Sequence, residues 1–163
     1  MAKLRLKTSV NVGRLADDMA RKVRGIIVDE MLTATDELQR KSPVGATGSL
    51  QAGWDVLEPR RSPVSFEISG SIINNAPRAL NRIAGRGPGT PPPIAPLKSW
   101  AAAKGLPPAA AWAIARKIAK TGTERWRAQD NFAGIDNRGR IKASSPIREA
   151  ERRIIQRIET LKG

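Results

Sequence analysis

Hydrophobic positions recur every three or four residues between Leu15 and Leu38. The series consists of Leu15, Met19, Val23, Ile27, Met31, Ala34 and Leu38. This spacing places one apolar stripe along an α-helix, and the mixed acids and bases on its other faces are typical of solvated surface. Proline cannot continue a helix, so Pro43 predicts that the helix ends near Arg40 or Lys41.

After this helix the hydrophobic period changes from about 3.6 to 2. The alternating apolar positions are Leu50, Ala52, Trp54 and Val56 before a turn at 59–63, and Val64, Phe66, Ile68, Gly70 and Ile72 after it. Strict alternation predicts two antiparallel strands with one apolar face. The long helix is the natural cover for that face. We therefore expect an α+β fold in which an N-terminal long helix packs on a small antiparallel sheet.

Short helices and a C-terminal helix are expected to follow the sheet. Residues 84–96 are rich in Pro and Gly and predict a loop. A helix from about Pro96 to Lys104 should stop at Gly105, and Pro107-Pro108 suits the first turn of the next helix. That helix should run to about Lys120, with Gly122 as its C-terminal cap.

The helix before Gly122 has one apolar face and one basic face. Its apolar positions are Ala111, Trp112, Ile114, Ala115, Ile118 and Ala119, whereas Arg116, Lys117 and Lys120 fall on the opposite side. Residues 123–144 suggest an irregular arm or a hairpin. Ser145-Pro146 then predicts the start of a closing helix, whose apolar side carries Ile147, Ala150, Ile154, Ile158 and Leu161.

The length of 163 residues favours a single domain. Its expected parts are a basic N-terminal arm (1–8), a helix-plus-sheet core (9–83), the Pro/Gly-rich loop (84–96), a helical basic segment (97–122), the irregular arm (123–144) and the C-terminal helix (145–163). Leu, Ile, Val and Phe together make up only about a fifth of the chain. A core this small favours burial against other subunits.

Composition narrows the chemistry further. The chain has no His and no Cys, which excludes imidazole and thiolate zinc sites, thiol nucleophiles, disulfides and serine–histidine triads. An enzyme would need Lys, Ser or carboxylate chemistry, and nothing places Ser49, Lys98 or Lys104 together. We therefore predict no catalytic residue, no metal and no cofactor. No run of 18 apolar residues and no signal-peptide core are present, so we expect a soluble protein.

The charge is strongly positive and unevenly distributed. Lys and Arg number 29 against 15 Asp and Glu, for a formal charge of +14. Half of this excess lies in residues 84–128, where eight bases face one acid. The eight bases are our candidates for phosphate or DNA contact: Arg86, Lys98, Lys104, Arg116, Lys117, Lys120, Arg125 and Arg127.

Three tryptophans are interleaved with these bases. Basic and aromatic residues together are typical of surfaces that contact phosphates and stack on bases. We nevertheless expect Trp100 and Trp112 to anchor the core, because the chain has few other bulky side chains. For Trp126, between Arg125 and Arg127, partner contact and local packing remain equally open.

Several segments resemble the neck and minor tail proteins of tailed bacteriophages, the head–tail joining or tail-completion family. Ser42-Pro-Val-Gly-Ala-Thr-Gly-Ser-Leu50 with Trp54 resembles the family's Pro-Val-Asp-Thr-Gly-x-Leu segment, and 75–79 resembles its Asn-x-x-Tyr-Ala element. Pro92-Pro93 followed by Leu97, Trp100, Lys104 and Gly105 resembles a third element, and 111–123 is the longest match. Together they span about residues 42–123.

The resemblance implies a virion structural protein that forms a homo-oligomeric ring in the neck, where it joins head and tail and lets double-stranded DNA pass. It implies assembly in the host cytoplasm, contacts with connector, tail-terminator or tail-tube proteins, and no catalytic residues. We take Pro91, Pro92, Pro93 and Trp126 as candidates for subunit contact. The alternative is a freestanding, sequence-independent nucleic-acid-binding protein, whose basic helix would grip phosphates tightly.

Overall fold

The structure is a computed structural model that describes residues 4–11, 17–44, 47–63, 67–128, 131–136 and 138–161, with only the backbone given over 4–11. It confirms the α+β class: a long N-terminal helix, a small antiparallel sheet, short helices and a C-terminal helix. The elements in chain order are β1 (Leu4–Asn11), α1 (Asp17–Lys41), α2 (Ser49–Ala52), β2 (Trp54–Arg61), β3 (Glu67–Asn74), α3 (Ala79–Ala84), α4 (Ile94–Ala103), α5 (Pro108–Thr121), α6 (Glu124–Ala128) and α7 (Pro146–Thr160).

The sheet has three described strands in the order β1-β3-β2, all antiparallel. β3 is central, and its Ile72 lies opposite Leu6 of β1 and Val56 of β2. The prediction of a basic arm over 1–8 is therefore wrong for residues 4–8, which belong to β1. Pro59 sits at a register shift in β2, where an edge strand tolerates the missing N–H donor.

The first predicted strand begins later than its alternation indicated. Leu50 and Ala52 lie in the short helix α2, and the strand starts at Trp54. Gly53 makes the turn between them, where an added Cβ would lie 2.7 Å from Asn74 Oδ1 and 2.8 Å from the Ser49 carbonyl oxygen. This crowding leaves no room for a side chain at position 53. Leu15, Val64 and Phe66, which also carried the predicted pattern, lie outside the described residues.

The core is formed where α1 packs on β2, β3 and α7. The predicted apolar stripe of α1 is confirmed. Five of its positions are buried: Val23, Ile27, Met31, Ala34 and Leu38. The predicted α7 face is likewise turned inward, with Ile147, Ala150 and Ile154 buried. The helix begins as predicted, because the Ser145 hydroxyl accepts the Ile147 N–H at 3.3 Å.

The described residues of the segment predicted as an irregular arm or a hairpin are part of the body of the protein, and Ile135 pairs with Ile141 in an antiparallel bridge. The segment contains α6, and Ala133 and Ile135 are both fully buried in the core. The Ser145 hydroxyl donates to the Ala133 carbonyl oxygen at 2.6 Å. The pKa of Asp136 is lowered, chiefly because its carboxylate accepts the backbone N–H of Arg140. Local hydrogen bonds, rather than a regular helix or strand, hold this loop together. Its sequence therefore has no hydrophobic periodicity.

A buried carboxylate joins α1 to α7. Glu30 accepts hydrogen bonds from Arg153 Nε at 2.6 Å and from Arg157 Nη1 at 3.1 Å. Burial acts to raise the pKa of Glu30, but the hydrogen bonds and charges of the two arginines outweigh it and hold that pKa below its usual value. The contact also raises the pKa of Arg157, because the hydrogen bond to Glu30 favours the charged guanidinium. The ion pairs of Glu30 with Arg153 and Arg157 thus link the C-terminal helix α7 to α1.

Replacing Glu30 by glutamine should lower the free energy of unfolding at pH 7 by about 1.5–3 kcal/mol. The side chains of Arg153 and Arg157 are 32% and 44% exposed, and water screens part of the charge interaction. Because the folded pKa of Glu30 is lowered, its contribution is present above about pH 4.3 and is lost as the pH falls through the folded pKa. Urea unfolding at pH 7 and pH 3.5 measures both effects.

Asp36→Asn is the matched control for this prediction. Asp36 is an exposed carboxylate on the same helix and forms no ion pair with a described base. It should change the free energy of unfolding by less than about 0.5 kcal/mol. Equal losses in the two variants, or an E30Q loss that does not shrink in acid, would contradict the assigned role.

Candidate nucleic-acid interface

Helices α4 and α5 form a helical hairpin, defined here as residues 94–121. The predicted stop at Gly105 is confirmed: Gly105 has φ of 69°, and its N–H donates to the Ala102 carbonyl oxygen at 3.0 Å. The Leu106 N–H reaches back to the Ala101 carbonyl oxygen at 2.9 Å, which completes a Schellman motif. Pro107 and Pro108 then start α5 as expected. Local sequence signals therefore determine this turn.

The interior of the hairpin is built from alanine. Within residues 94–121, all of which are described, the buried side chains are Ala101, Ala111 and Ala115. Small side chains let the two helices approach closely, but they bury little apolar area. None of the three belongs to the main core. The hairpin therefore leaves most of its surface open.

The expectation that Trp100 and Trp112 anchor the core is wrong. Trp100 is 42% exposed and Trp112 is 54% exposed, and Leu106 at the turn is 40% exposed. The helical pattern placed both tryptophans beside apolar neighbours, but helices α4 and α5 meet along their alanines instead. Large exposed aromatic side chains on one element are typical of contact surfaces.

The predicted basic face of α5 is exposed to solvent. Arg116, Lys117 and Lys120 are all exposed, and so are Lys98 on α4 and Lys104 at its end. On α6, Arg125 and Arg127 are exposed as well. Among the described residues, none of these seven bases forms an ion pair with a carboxylate. Their charge is therefore available to an external anion.

Charge segregation extends beyond the hairpin. The sequence contains no Asp or Glu between Glu67 and Glu124, whereas that stretch contains eight bases. With no internal acid to neutralise it, this stretch generates a sustained positive potential. The surface around α4 and α5 thus has the electrostatics that contact with a phosphate backbone requires.

Arg86 differs from the other seven candidates. It is half-buried, and its guanidinium donates to the Thr90 carbonyl oxygen at 2.7 Å. Its backbone N–H donates to Thr123 Oγ1 at 2.9 Å, and its carbonyl oxygen accepts the Thr123 N–H at 2.8 Å. Arg86 therefore closes the Pro/Gly-rich loop against the end of α5, and we assign it a structural role.

Trp126, left open between partner contact and local packing, packs locally. It is half-buried beneath glycines of the loop and of the α5 cap. A Cβ at Gly87 would lie 3.1 Å from the indole Nε1, and one at Gly122 would lie 3.1 Å from Cε3. Gly122 also has φ of 73°, as its predicted capping role requires. Trp126 thus packs against the Pro/Gly-rich loop and the end of α5.

The proline run leads into the hairpin. Pro91 and Pro93 are exposed, Pro92 is half-buried, and Pro93 is the N-cap residue of α4. Before them, the Gly89 N–H donates to the Ala119 carbonyl oxygen at 2.8 Å, which holds the loop against α5. The exposed prolines therefore form a stiff ridge beside the hairpin.

Sequence reasoning did not single out Asn74, a buried polar side chain. Asn74, at the end of β3, has no exposed surface; its amide donates to the Leu50 carbonyl oxygen and its Oδ1 accepts the Ala76 N–H, each at 2.9 Å. It fixes α2 and the turn before α3. The sequence signal for this residue is its position at the end of an apolar strand, because an amide side chain buried there must form hydrogen bonds.

Among the described residues, no helix is long and apolar enough to cross a membrane. The same part of the chain contains no group of three acidic side chains that could hold a metal ion. Comparison with family models, curated proteins and solved structures found no match to this chain. The exposed groups on α4 and α5 are cations and aromatic rings, which are able to bind anions and flat apolar groups.

Proposed function

We propose that this chain is a structural protein of a tailed-bacteriophage virion. In this proposal it forms a homo-oligomeric ring in the neck, which joins head and tail and lets double-stranded DNA pass. Its neighbours would be connector, tail-terminator or tail-tube proteins, and it would act without catalysis. The observation that carries the proposal is the stretch between Glu67 and Glu124, which has eight bases, no acid and most of its hairpin surface exposed.

The arrangement of the bases suits weak, sequence-independent contact. Arg116, Lys117 and Lys120 are solvated cations on a helix surface, which attract phosphates without reading base edges. Such contacts position DNA yet allow it to slide. A ring lined by this face would guide DNA electrostatically.

The hairpin and the proline ridge suit assembly. Leu106 and Trp112 are exposed, and the core of the protein is small. Covering them with a neighbouring subunit would add apolar burial that the isolated chain lacks. Head-to-tail contact of one patch with a different one generates a ring when the rotation per subunit closes, and that rotation sets the copy number.

Purified particles of the phage that encodes the chain provide the test. We expect mass spectrometry to detect the chain in the particles and cryo-electron microscopy to locate it as a ring between the head and the tail tube. Native mass spectrometry of the purified chain should show one discrete oligomer. Absence from the particles would contradict the proposal, and presence without ring density would remove its neck assignment.

The second candidate is a freestanding nucleic-acid-binding protein that does not read sequence. Exposure of Trp100 and Trp112 among the bases favours it, because aromatic rings stack on unpaired bases. This candidate predicts micromolar or tighter affinity of the monomeric chain for single-stranded DNA, falling steeply with salt. The ring proposal predicts weak binding by the monomer, so the affinity separates the two.

A further inference from the structure

We propose that a cleft beside the hairpin is a docking site for an acidic, apolar peptide segment of a second protein. The cleft has a volume of about 610 Å³ and lies between the loop after α1, α3, α4 and α6. It is lined by Pro43, Val44, Thr47, Leu50, Arg82, Pro96, Ser99, Trp100 and Arg125. Residues from two parts of the chain that are far apart in sequence, 43–44 with 47–50 and 96–100, meet there.

One wall of the cleft is apolar. Val44 is 59% exposed and Trp100 is 42% exposed, and both border the cleft together with Pro43 and Pro96. An open tryptophan flanked by prolines is a rigid surface that loses little conformational entropy on binding. Such a wall accepts an aliphatic or aromatic side chain. A peptide with an apolar residue would bury the Trp100 ring against it.

The cleft lining also includes two arginines that hydrogen bonds hold in place. Arg82 Nη1 donates to Ser49 Oγ at 2.6 Å, and Ser49 Oγ also accepts the Thr47 hydroxyl at 2.9 Å. Arg125 Nη1 donates to the Arg82 carbonyl oxygen at 2.8 Å. Each guanidinium keeps further N–H donors, and neither forms an ion pair with a described carboxylate.

Charge and size together select the occupant. No acidic residue lines the cleft, and a guanidinium binds a carboxylate through two parallel hydrogen bonds. The volume is that of a pocket for a few side chains, which is small for a nucleic-acid duplex. A carboxylate-bearing apolar peptide matches both the apolar wall and the two arginines.

This inference goes beyond the proposed function and is tested separately from it. The experiment uses the full-length chain in solution and requires neither a ring nor DNA. The probe is a library of random twelve-residue peptides, selected on immobilised wild-type chain after depletion on the W100A variant. We expect the enriched peptides to combine at least one Asp or Glu with a neighbouring Leu, Ile, Phe or Trp.

Affinities are then measured by fluorescence anisotropy of one enriched, labelled peptide. Trp100→Ala should weaken binding about 30-fold, since an aromatic ring at the centre of a contact carries much of the binding energy. Arg82→Gln combined with Arg125→Gln should weaken it at least tenfold and reduce its dependence on salt. Circular dichroism and the melting temperature report whether each variant remains folded.

Trp112→Ala and Arg116→Gln are the matched controls. Both residues are exposed on α5 and neither lines the cleft. These variants should bind the peptide within twofold of wild type. The proposal is overturned if no peptide is enriched over W100A, if the enriched peptides lack acids, or if W112A weakens binding as much as W100A.

Other occupants give distinct results that would also overturn the proposal. A DNA oligonucleotide that displaces the peptide, with an affinity that depends on Trp100, would make the cleft a nucleic-acid site. Self-association of wild-type chain that is lost in W100A would make it an interface between copies. Analytical ultracentrifugation of both proteins, with and without the peptide, distinguishes these results from peptide docking.

Discussion

Replacing Asn74 by leucine should lower the free energy of unfolding by about 3–5 kcal/mol. Leucine has a similar shape, but it cannot accept the Ala76 N–H or donate to the Leu50 carbonyl oxygen. Both backbone groups would lose their partner next to a side chain with no exposed surface. Each unpaired buried group costs about 1–3 kcal/mol. Urea unfolding followed by tryptophan fluorescence and circular dichroism measures the loss.

Asn75→Leu is the matched control, because Asn75 is the same residue type at the next position and is exposed. Its backbone N–H donates to the Gly53 carbonyl oxygen at 2.8 Å and would do so in the variant as well. We expect a change of less than about 0.5 kcal/mol in this control. A loss below 1 kcal/mol in N74L, or equal losses in the two variants, would show that the Asn74 contacts do not stabilise the turn.

The same substitution links the fold to the proposed docking cleft. Leu50 lines the cleft, and Asn74 holds the Leu50 carbonyl oxygen. Ser49, which precedes Leu50, holds the Arg82 guanidinium. Loss of the Asn74 contacts should therefore also weaken the peptide binding described above. The buried amide is thus a positioning residue for one wall of the cleft.

The four longer helices, α1, α4, α5 and α7, could be predicted from sequence because their signals are local. The apolar stripe of α1, the Gly105 stop and the Ser145 cap each lie within a few residues of the element they define. Helical periodicity and capping reflect hydrogen bonds that close within one turn. This locality explains why α1, α5 and α7 end close to their predicted positions.

Strand β1 could not be predicted in the same way. Leu4, Leu6 and Val10 alternate with charged or polar residues, but such a short alternation does not identify a partner strand. Residues 4–11 pair with residues 67–74, which lie at least 56 positions further along the chain. Conversely, Leu50, Ala52 and Trp54 alternate as in a strand, but Leu50 and Ala52 lie in α2, and a turn at Gly53 separates them from Trp54 in β2. Short alternating runs arise by chance, so tertiary pairing decides between arm, helix and strand.

The candidate site was predicted in part. Charge counting found the exposed bases of α5. It treated Arg86 as equivalent to them, although the Arg86 guanidinium donates a hydrogen bond to the Thr90 carbonyl oxygen. Periodicity placed Trp100 and Trp112 on apolar faces, yet it cannot say whether such a face meets this chain or another molecule. Arg82 was not singled out, because its role depends on Ser49 and Arg125, which are brought to it by the fold.

Neutralising the α5 face should produce the largest effect on DNA binding. In the triple variant R116Q/K117Q/K120Q, three exposed cations without described ion-pair partners are removed while the helix is kept. Each phosphate contact contributes about 0.9 to the slope of log affinity against log salt, so the slope should fall by about 2.7. At about 0.1 M salt, affinity for a DNA duplex should fall on the order of 10²-fold.

The matched control removes the same charge elsewhere. Lys22, Arg40 and Arg152 are exposed on α1 and α7 and, within the described ranges, form no ion pair. Anisotropy titrations of K22Q/R40Q/R152Q should show a slope close to that of wild type, because a general loss of positive potential changes affinity far less than loss of direct contacts does. Equal slopes in the two triple variants would mean that net charge alone, rather than the α5 face, attracts DNA.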